Sequence, residues 1–273
     1  MSPDALYQQI VAKRSYLCVG LDTDITKIPT HLLDEPNPLL EFNRAVIEVT
    51  KDFCVSYKLN LAFYESAGEQ GWNVLQETLK LIPPEIFVIA DGKRADIGNS
   101  SAMYARSAFE TYNFDAATVH PYMGKDSIEP FLNYENKYAV LLALTSNRGS
   151  SDFQKLKLDN GNCLYEEVLE QSATWGGPDK LMYVAGATHP EEFKRIRAIV
   201  PDHFLLVPGV GAQGGDLETL SKNGFNKQVG LLVNSSRSII YAGQDEDYKE
   251  KIKEAAKSLQ MEMSVILEEE DML

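Results

Sequence analysis

The stretch IFVIADGKRADIGNS, Ile86 to Ser100, decides the fold. Its opening residues, Ile86 to Ala90, are all apolar and show no alternation. A strand of this kind is buried on both faces, as in a parallel sheet covered by helices. It ends abruptly in Asp91-Gly92-Lys93, a knot of charge and glycine.

The same pattern recurs on either side. Tyr16–Leu21 ends at Asp22, and Cys54–Leu61 carries Lys58 and Asn60 within it. Ala116–Val119 ends at His120-Pro121, Ala139–Leu144 at Thr145-Ser146, and Met182–Ala185 at Gly186-Ala187-Thr188. Phe204–Val207 ends at Pro208-Gly209, and Gly230–Val233 at Asn234-Ser235-Ser236-Arg237. Segments of helical character lie between them. Pro38–Phe53 spaces Leu39, Phe42, Val46 and Val49 along one face. Pro190–Val200 opens on Pro-Glu-Glu and places Phe193, Ile196 and Ile199 together. Asp216–Phe225 and Asp247–Leu267 read as helices too, with Trp72 and Trp175 as packing residues on helices. Eight strand–helix units within 273 residues match a closed (β/α)8 TIM barrel, taken here as one domain over residues 1–273. An open doubly wound sheet is the alternative, but it rarely needs eight regular repeats. The extra N-terminal helix Pro3–Lys13 is expected to cap the barrel bottom.

Composition narrows the function. A formal charge of −14 and no visible basic face argue against a nucleic-acid binder. A small anionic ligand remains compatible, held by local cations and amides rather than by the overall field. No window approaches a membrane span, and Met1-Ser2-Pro3-Asp4 does not open a secretion signal. The 3 cysteines, Cys18, Cys54 and Cys163, fit neither a disulfide framework nor a zinc pattern, and read as residues of a reducing cytoplasm. The 4 histidines are scattered without ligand spacing and read as structural.

Barrels of this type carry their active sites at the C-terminal ends of the strands. Asp22, Lys58, Asn60, Asp91, Lys93, Thr145, Ser146 and Arg237 all fall there. Residues two apart on a strand share a face, which pairs Lys58 with Asn60 and Asp91 with Lys93. Converging cations and carboxylates suggest proton transfer together with anion binding. A buried lysine beside carboxylates stays protonated and is a placed proton donor. Asp91 and Lys93 alone could be an ordinary strand-end ion pair; with Lys58 and Asp96 the reading becomes catalysis. The segment PGVGAQGG, Pro208 to Gly215, matches GxGxxG at Gly209, Gly211 and Gly214, but it follows the seventh strand rather than opening a βαβ unit. A phosphate cradle completed by Arg237 fits its place better. The long segment Asn147–Asn162 after the fifth strand is either a lid over the mouth or a surface loop.

These residues resemble the orotidine 5′-monophosphate decarboxylase family, in its longer-chain bacterial branch. The blocks that carry the resemblance are VGLDTD, SYKLNLAF, the Asp-x-Lys-x-x-Asp element of Asp91, Lys93 and Asp96, LVPGVGAQGG and NSSRSIIYAG, from about Tyr16 to Gly243. The triad is shared with related barrels, and its combination with Lys58, Gln213 and Arg237 is far more specific. The resemblance implies removal of carbon dioxide from orotidine 5′-monophosphate to give uridine 5′-monophosphate, with no cofactor and no metal. It implies that Lys93 protonates the ring carbon and that Asp91 orients Lys93 beside the departing carboxylate. Lys58 links the ribose to this array, Asp22 and Asn60 lie at the substrate, and Ser100 is a ribose-contacting hydroxyl. Thr145 or Ser146 holds the pyrimidine edge. Gln213 bridges base and phosphate, and Pro208, Gly209, Gly211, Ser236 and Arg237 form the phosphate site. Asp96 is lent to the neighbouring subunit of a homodimer. Two features depart from the family pattern: Gly92 replaces a common alanine, and Ser235-Ser236 replaces a glycine pair before Arg237.

Two other readings share some of these features. Sugar-phosphate enzymes similar to keto-gulonate phosphate decarboxylase or hexulose phosphate synthase share the triad but use magnesium, held by an acidic residue at the end of strand two, where this chain has Lys58. A non-catalytic nucleotide-binding barrel would not need Lys58, Asp91, Lys93 and Asp96 intact.

Overall fold

The computed structural model describes residues 1–209 and 216–273. Its centre is a closed parallel barrel whose eight strands follow chain order. They are β1 (Leu17–Gly20), β2 (Ser56–Asn60), β3 (Phe87–Arg94), β4 (Ala116–Val119), β5 (Tyr138–Leu144), β6 (Leu181–Ala185), β7 (Leu205–Pro208) and β8 (Leu231–Ser235). The pairing of Leu17 with Val233 and Cys18 with Asn234 closes the ring between β1 and β8. The expected TIM barrel is therefore present.

Burial explains why these segments are strands. Every residue of β1, β4, β6 and β8 is buried, because one face fills the barrel and the other meets helices. The surrounding helices start where local chemistry permits. In α1 (Pro3–Lys13), Pro3 opens the helix and Ser2 Oγ accepts from the Ala5 N–H. In α2 (Pro38–Thr50), Pro38 and the Asn37 side chain play the same parts. The inward face of α2 is Phe42, Ala45, Val46 and Ile47, with Asn43 and Thr50 buried beside them. Further round lie α3 (Leu61–Glu65), α4 (Gly68–Leu81), α5 (Gly98–Arg106), α6 (Lys125–Leu132), α7 (Ser150–Phe153) and α8 (Leu164–Ser172). They are followed by α9 (Glu192–Ile199), α10 (Leu217–Gly224), α11 (Arg237–Ile240) and α12 (Tyr248–Glu269). No helix among the described residues is long and apolar enough to cross a membrane.

The N-terminal helix lies where expected. The Met1 ammonium donates to the Asn136 carbonyl just before β5, and Lys13 Nζ donates to the Cys54 carbonyl just before β2. Gln228, just before β8, donates to Asp4. All three partners precede strands, so α1 runs across the N-terminal mouth. Some boundaries move. The helix expected from Pro190 starts at Glu192, and that expected to reach Phe53 ends at Thr50. Trp72 lies on α4 and stacks on Tyr112 at 5.7 Å, but Trp175 lies in the turn after α8 rather than on a helix. The largest change is in β3, which continues past Ala90 to Arg94.

Gly71 shows how closely the helical layer is packed. A Cβ there would fall 1.8 Å from the Tyr64 carbonyl oxygen, a backbone atom that cannot rotate away. Alanine's helix propensity favours Gly71→Ala by about 1 kcal/mol, but overpacking against fixed backbone costs about 1–3 kcal/mol. Gly71→Ala should therefore lower the urea midpoint at unchanged slope. A raised midpoint would mean that α3 and α4 separate freely.

Candidate active site

The C-terminal mouth of the barrel opens into a cavity of ≈ 620 Å³. Leu142, Val184 and Leu206, from β5, β6 and β7, give it an apolar side. Across from them stand Asp22, Lys58, Asp91 and Lys93.

These four side chains form a line of alternating charge. Lys58 Nζ lies 2.7 Å from Asp91 Oδ2 and 3.5 Å from Asp22 Oδ1. Lys93 Nζ donates to Asp91 Oδ1 at 2.6 Å. Burial pulls Lys58 toward its neutral form, but Asp91 and Asp22 outweigh it and raise its pKa above the ordinary lysine value. Burial pushes Asp91 upward, yet Lys58 and Lys93 hold the carboxyl well below the usual carboxylate range. Both groups are thus charged at neutral pH. Lys58 is buried, whereas the Lys93 side chain is 50% exposed and reaches into the cavity. Asp22 Oδ1 is buried and accepts no hydrogen bond, its nearest cation being at ion-pair separation only.

A bulge in β3 brings Asp91 and Lys93 together. Ala90 pairs with Ala117 and Arg94 with Val119, so Asp91, Gly92 and Lys93 together face Thr118. Lys93 takes a left-handed backbone, φ 47°. Simple alternation along a straight strand is therefore not what co-orients the pair. Thr118 Oγ1 donates to Asp91 Oδ1 at 3.0 Å and accepts from the Lys93 N–H at 2.9 Å.

Several predicted residues converge on the cavity. Asp22, Lys58, Asn60, Asp91, Lys93, Thr145, Ser146 and Pro208 line it. Gly186 lets β6 end close to Ser146, since a Cβ on it would lie 2.6 Å from the Ser146 nitrogen. Other predicted residues stand apart. Asp96 is half-buried beyond the bulge, its Oδ1 accepting from the Ile97 N–H at 2.8 Å, and Ser100 is exposed in the first turn of α5. Neither lines the cavity. Ser236 caps α11 and Arg237 opens it, exposed and outside the cavity lining. Gly209 has φ 101° at the edge of the described chain, and Gly211 and Gln213 lie outside the described residues.

Sequence reasoning missed Thr118, Asn147, Gln154 and Asn234, which also line the cavity. Asn147 and Gln154 belong to the long segment after β5. Gln154 Oε1 accepts from the Thr145 N–H at 2.7 Å, and Thr145 Oγ1 donates to Asn147 Oδ1 at 2.6 Å. That segment thus builds part of the wall and is more than surface decoration. Among the described residues, no group of 3 or more His, Cys, Asp or Glu is placed to hold a metal ion.

Comparison with known proteins gives a consistent match. The sequence profile of the orotidine 5′-phosphate decarboxylase / HUMPS family matches residues 15–252. A Flavobacterium johnsoniae protein named orotidine 5′-phosphate decarboxylase is 55% identical over 271 residues, covering 98% of this chain and 99% of that protein. A protein of the same name from Bacteroides fragilis is 53% identical, covering 97% of each chain. The solved structure of Leishmania donovani OMP decarboxylase superposes with a TM-score of 0.85 at 36% identity, over 97% of this chain and 99% of that one.

The depressed pKa of Asp91 links the site to stability. Its folded value lies below the unfolded value of about 3.9, so its contribution is fully present above that pH and fades as pH falls below it. The stability gap between wild type and Asp91→Asn, followed by urea unfolding from pH 7 to pH 3, should hold steady above about pH 5 and narrow, without closing, as pH falls to about 3. A constant gap across that range would contradict the coupling.

Proposed function

The chain belongs to the orotidine 5′-phosphate decarboxylase / HUMPS family, and from that premise we propose that it converts orotidine 5′-monophosphate to uridine 5′-monophosphate, in pyrimidine biosynthesis, with no cofactor. The observation that carries this reading is the Asp22–Lys58–Asp91–Lys93 line at the barrel mouth, buried at Lys58 and Asp91 and open to the cavity at Lys93. In the magnesium-dependent relatives an acidic ligand is expected from strand two. Here the Lys58 ammonium stands between Asp22 and Asp91, neutralises them, and would repel a metal at that place.

The chemistry follows from that arrangement. Heterolysis of the bond to the carboxylate releases carbon dioxide and leaves an electron pair on the ring carbon, in the ring plane. The Lys93 ammonium gives its proton to that carbon and is left as an amine, which regains a proton from solvent. Because the ammonium is already positioned by Asp91, it stabilises the developing charge without reorganisation. The Asp22 carboxylate, 18% exposed at the cavity wall, is an acceptor suited to a ribose hydroxyl. Thr145 and Ser146 face the pyrimidine edge. Pro208, Gly209, Ser236 and Arg237 are assigned the phosphate end, together with Gly211 and Gln213 from outside the described residues; binding there, remote from the reacting carbon, holds the ring in place. Cys18 and Cys54 are free thiols in the core, in keeping with a cytoplasmic location.

A homodimer completes the proposal. Asp96 and Ser100 lie beyond their own cavity, beside Ile97, Met103 and Tyr104, which expose 58%, 56% and 39% of their surfaces. This face suits a two-fold contact that delivers Asp96 to the partner's site.

The decisive assay is loss of orotidine absorbance, run with and without EDTA. Wild type should be equally active in both, and Lys93→Ala should lose nearly all turnover while retaining part of its nucleotide binding. Lys93→Ala activity within about tenfold of wild type, some 1.4 kcal/mol of barrier, is too small a loss for the proton donor. Activity abolished by EDTA and restored by magnesium would move the chain to the sugar-phosphate branch.

Mixing inactive Lys93→Ala with inactive Asp96→Ala tests the shared site. In a hybrid dimer one site carries both defects and the other none. Random exchange makes about half the dimers hybrid, so about a quarter of wild-type activity should return. No gain over the separate mutants, with exchange confirmed by native mass spectrometry, would place Asp96 outside the partner's site.

A further inference from the structure

Thr118 carries a role that neither charge nor motif reveals. It lies on β4 with 1% of its surface exposed, opposite the whole of the β3 bulge. The bulge removes the Lys93 N–H from the regular ladder and turns its backbone to φ 47°. A left-handed backbone is costly for a residue with a side chain, so something must hold it there. Thr118 Oγ1 accepts that N–H at 2.9 Å. The same oxygen donates to Asp91 Oδ1 at 3.0 Å, with the Ala90 carbonyl the more distant acceptor at 3.4 Å. Asp91 Oδ1 is also the atom that receives Lys93 Nζ at 2.6 Å. One hydroxyl therefore ties down both ends of Lys93: its backbone amide directly, and its ammonium through Asp91. Lys58 occupies the other carboxylate oxygen, so Asp91 has no second orientation open to it.

We propose that Thr118 is a positioning residue for the decarboxylation, aiming the Lys93 ammonium at the reacting carbon through the bulge and Asp91. This rests on the function proposed above. The hydroxyl matters for geometry in the transition state, where the ammonium must meet a localised electron pair, and little for affinity, which is drawn from ribose and phosphate contacts elsewhere. Thr118→Val keeps the branched shape and deletes the hydroxyl. Thr118→Ser keeps the hydroxyl and deletes the methyl group.

The test combines kinetics with a readout independent of turnover. Thr118→Val should lose about 10- to 100-fold in kcat, with KM and uridine monophosphate binding changed less than about threefold. Thr118→Ser should stay within about threefold of wild type in kcat. In parallel, the acetylation rate of Lys93 by an N-hydroxysuccinimide ester, followed by mass spectrometry without substrate, should rise in Thr118→Val and not in Thr118→Ser. Thr118→Val with wild-type kcat, equal losses in kcat and affinity, or a serine variant as impaired as valine would each overturn the proposal. So would a Lys93 labelling rate unchanged in a Thr118→Val protein that melts cooperatively. If wild type fails to turn over orotidine 5′-monophosphate, the functional reading falls, and the labelling comparison alone decides whether Thr118 holds Lys93.

Discussion

Two cations and two carboxylates alternate across the mouth of this barrel, from Asp22 through Lys58 and Asp91 to Lys93. Any one of them buried alone would be neutralised or would drive local unfolding. In sequence order around the sheet they come from β1's end, β2, and twice from β3, so only closure of the barrel brings them within reach. Lys58 is the centre of this arrangement. Its ammonium is buried, and removing it would leave the Asp22 and Asp91 carboxylates without the cation between them. The charged state of each member thus depends on the others, and the position of each depends on strand register. The pairings of Gly20 with Lys58 and of Asn60 with Asp91 fix that register.

The sequence made the strands legible because a parallel barrel buries both faces of each one. Apolar runs such as Tyr138–Leu144 and Leu181–Ala185 therefore stand out against amphipathic helices. The charged residues that end such runs were legible for the same reason. What stayed hidden is the path between Ala90 and Arg94. A bulge leaves no compositional mark beyond Gly92, and the left-handed residue is Lys93 rather than a glycine. The two-residue spacing of Asp91 and Lys93 suggested a shared face, and the side chains do meet, but through distorted backbone. Thr118 was equally silent, since a threonine inside Ala-Ala-Thr-Val reads as a β-branched strand former. Gln154 and Asn147 reach the cavity from a segment with no regular pattern, where spacing carries no directional information.

The two ends of the barrel divide their work. At the N-terminal end, α1 and half-buried Arg197 tie segments together through backbone carbonyls. The Arg197 guanidinium donates to the Gly224, His203 and Gly230 carbonyls at 2.6, 2.6 and 2.8 Å. Burial lowers its pKa to about 9, still leaving it charged at neutral pH. At the C-terminal end, by contrast, the polar side chains of Asp22, Asn60 and Asn234 line an open cavity. Close approach is needed there too. A Cβ on Gly20 would lie 1.8 Å from Ser236 Oγ, so β1 can pass the start of α11 only as glycine.

The alternating line has consequences for how an anionic substrate is held. Two positive and two negative charges sum to nothing, and the chain as a whole carries −14. At any distance beyond a few ångströms, the line offers a dianionic ligand no net attraction, and the overall field opposes it. Attraction must come from a cation set apart from the line. Arg237 meets that requirement by its place at the first position of α11, after β8, exposed and outside the cavity lining. The separation is useful. A cation among the four would draw a phosphate into the cavity and disturb the pairing of Lys93 with Asp91. In the proposed function it binds the phosphate from the rim while the neutral line meets the ring. The proposed division between a remote anchor and a balanced reacting centre thus follows from the charge arrangement.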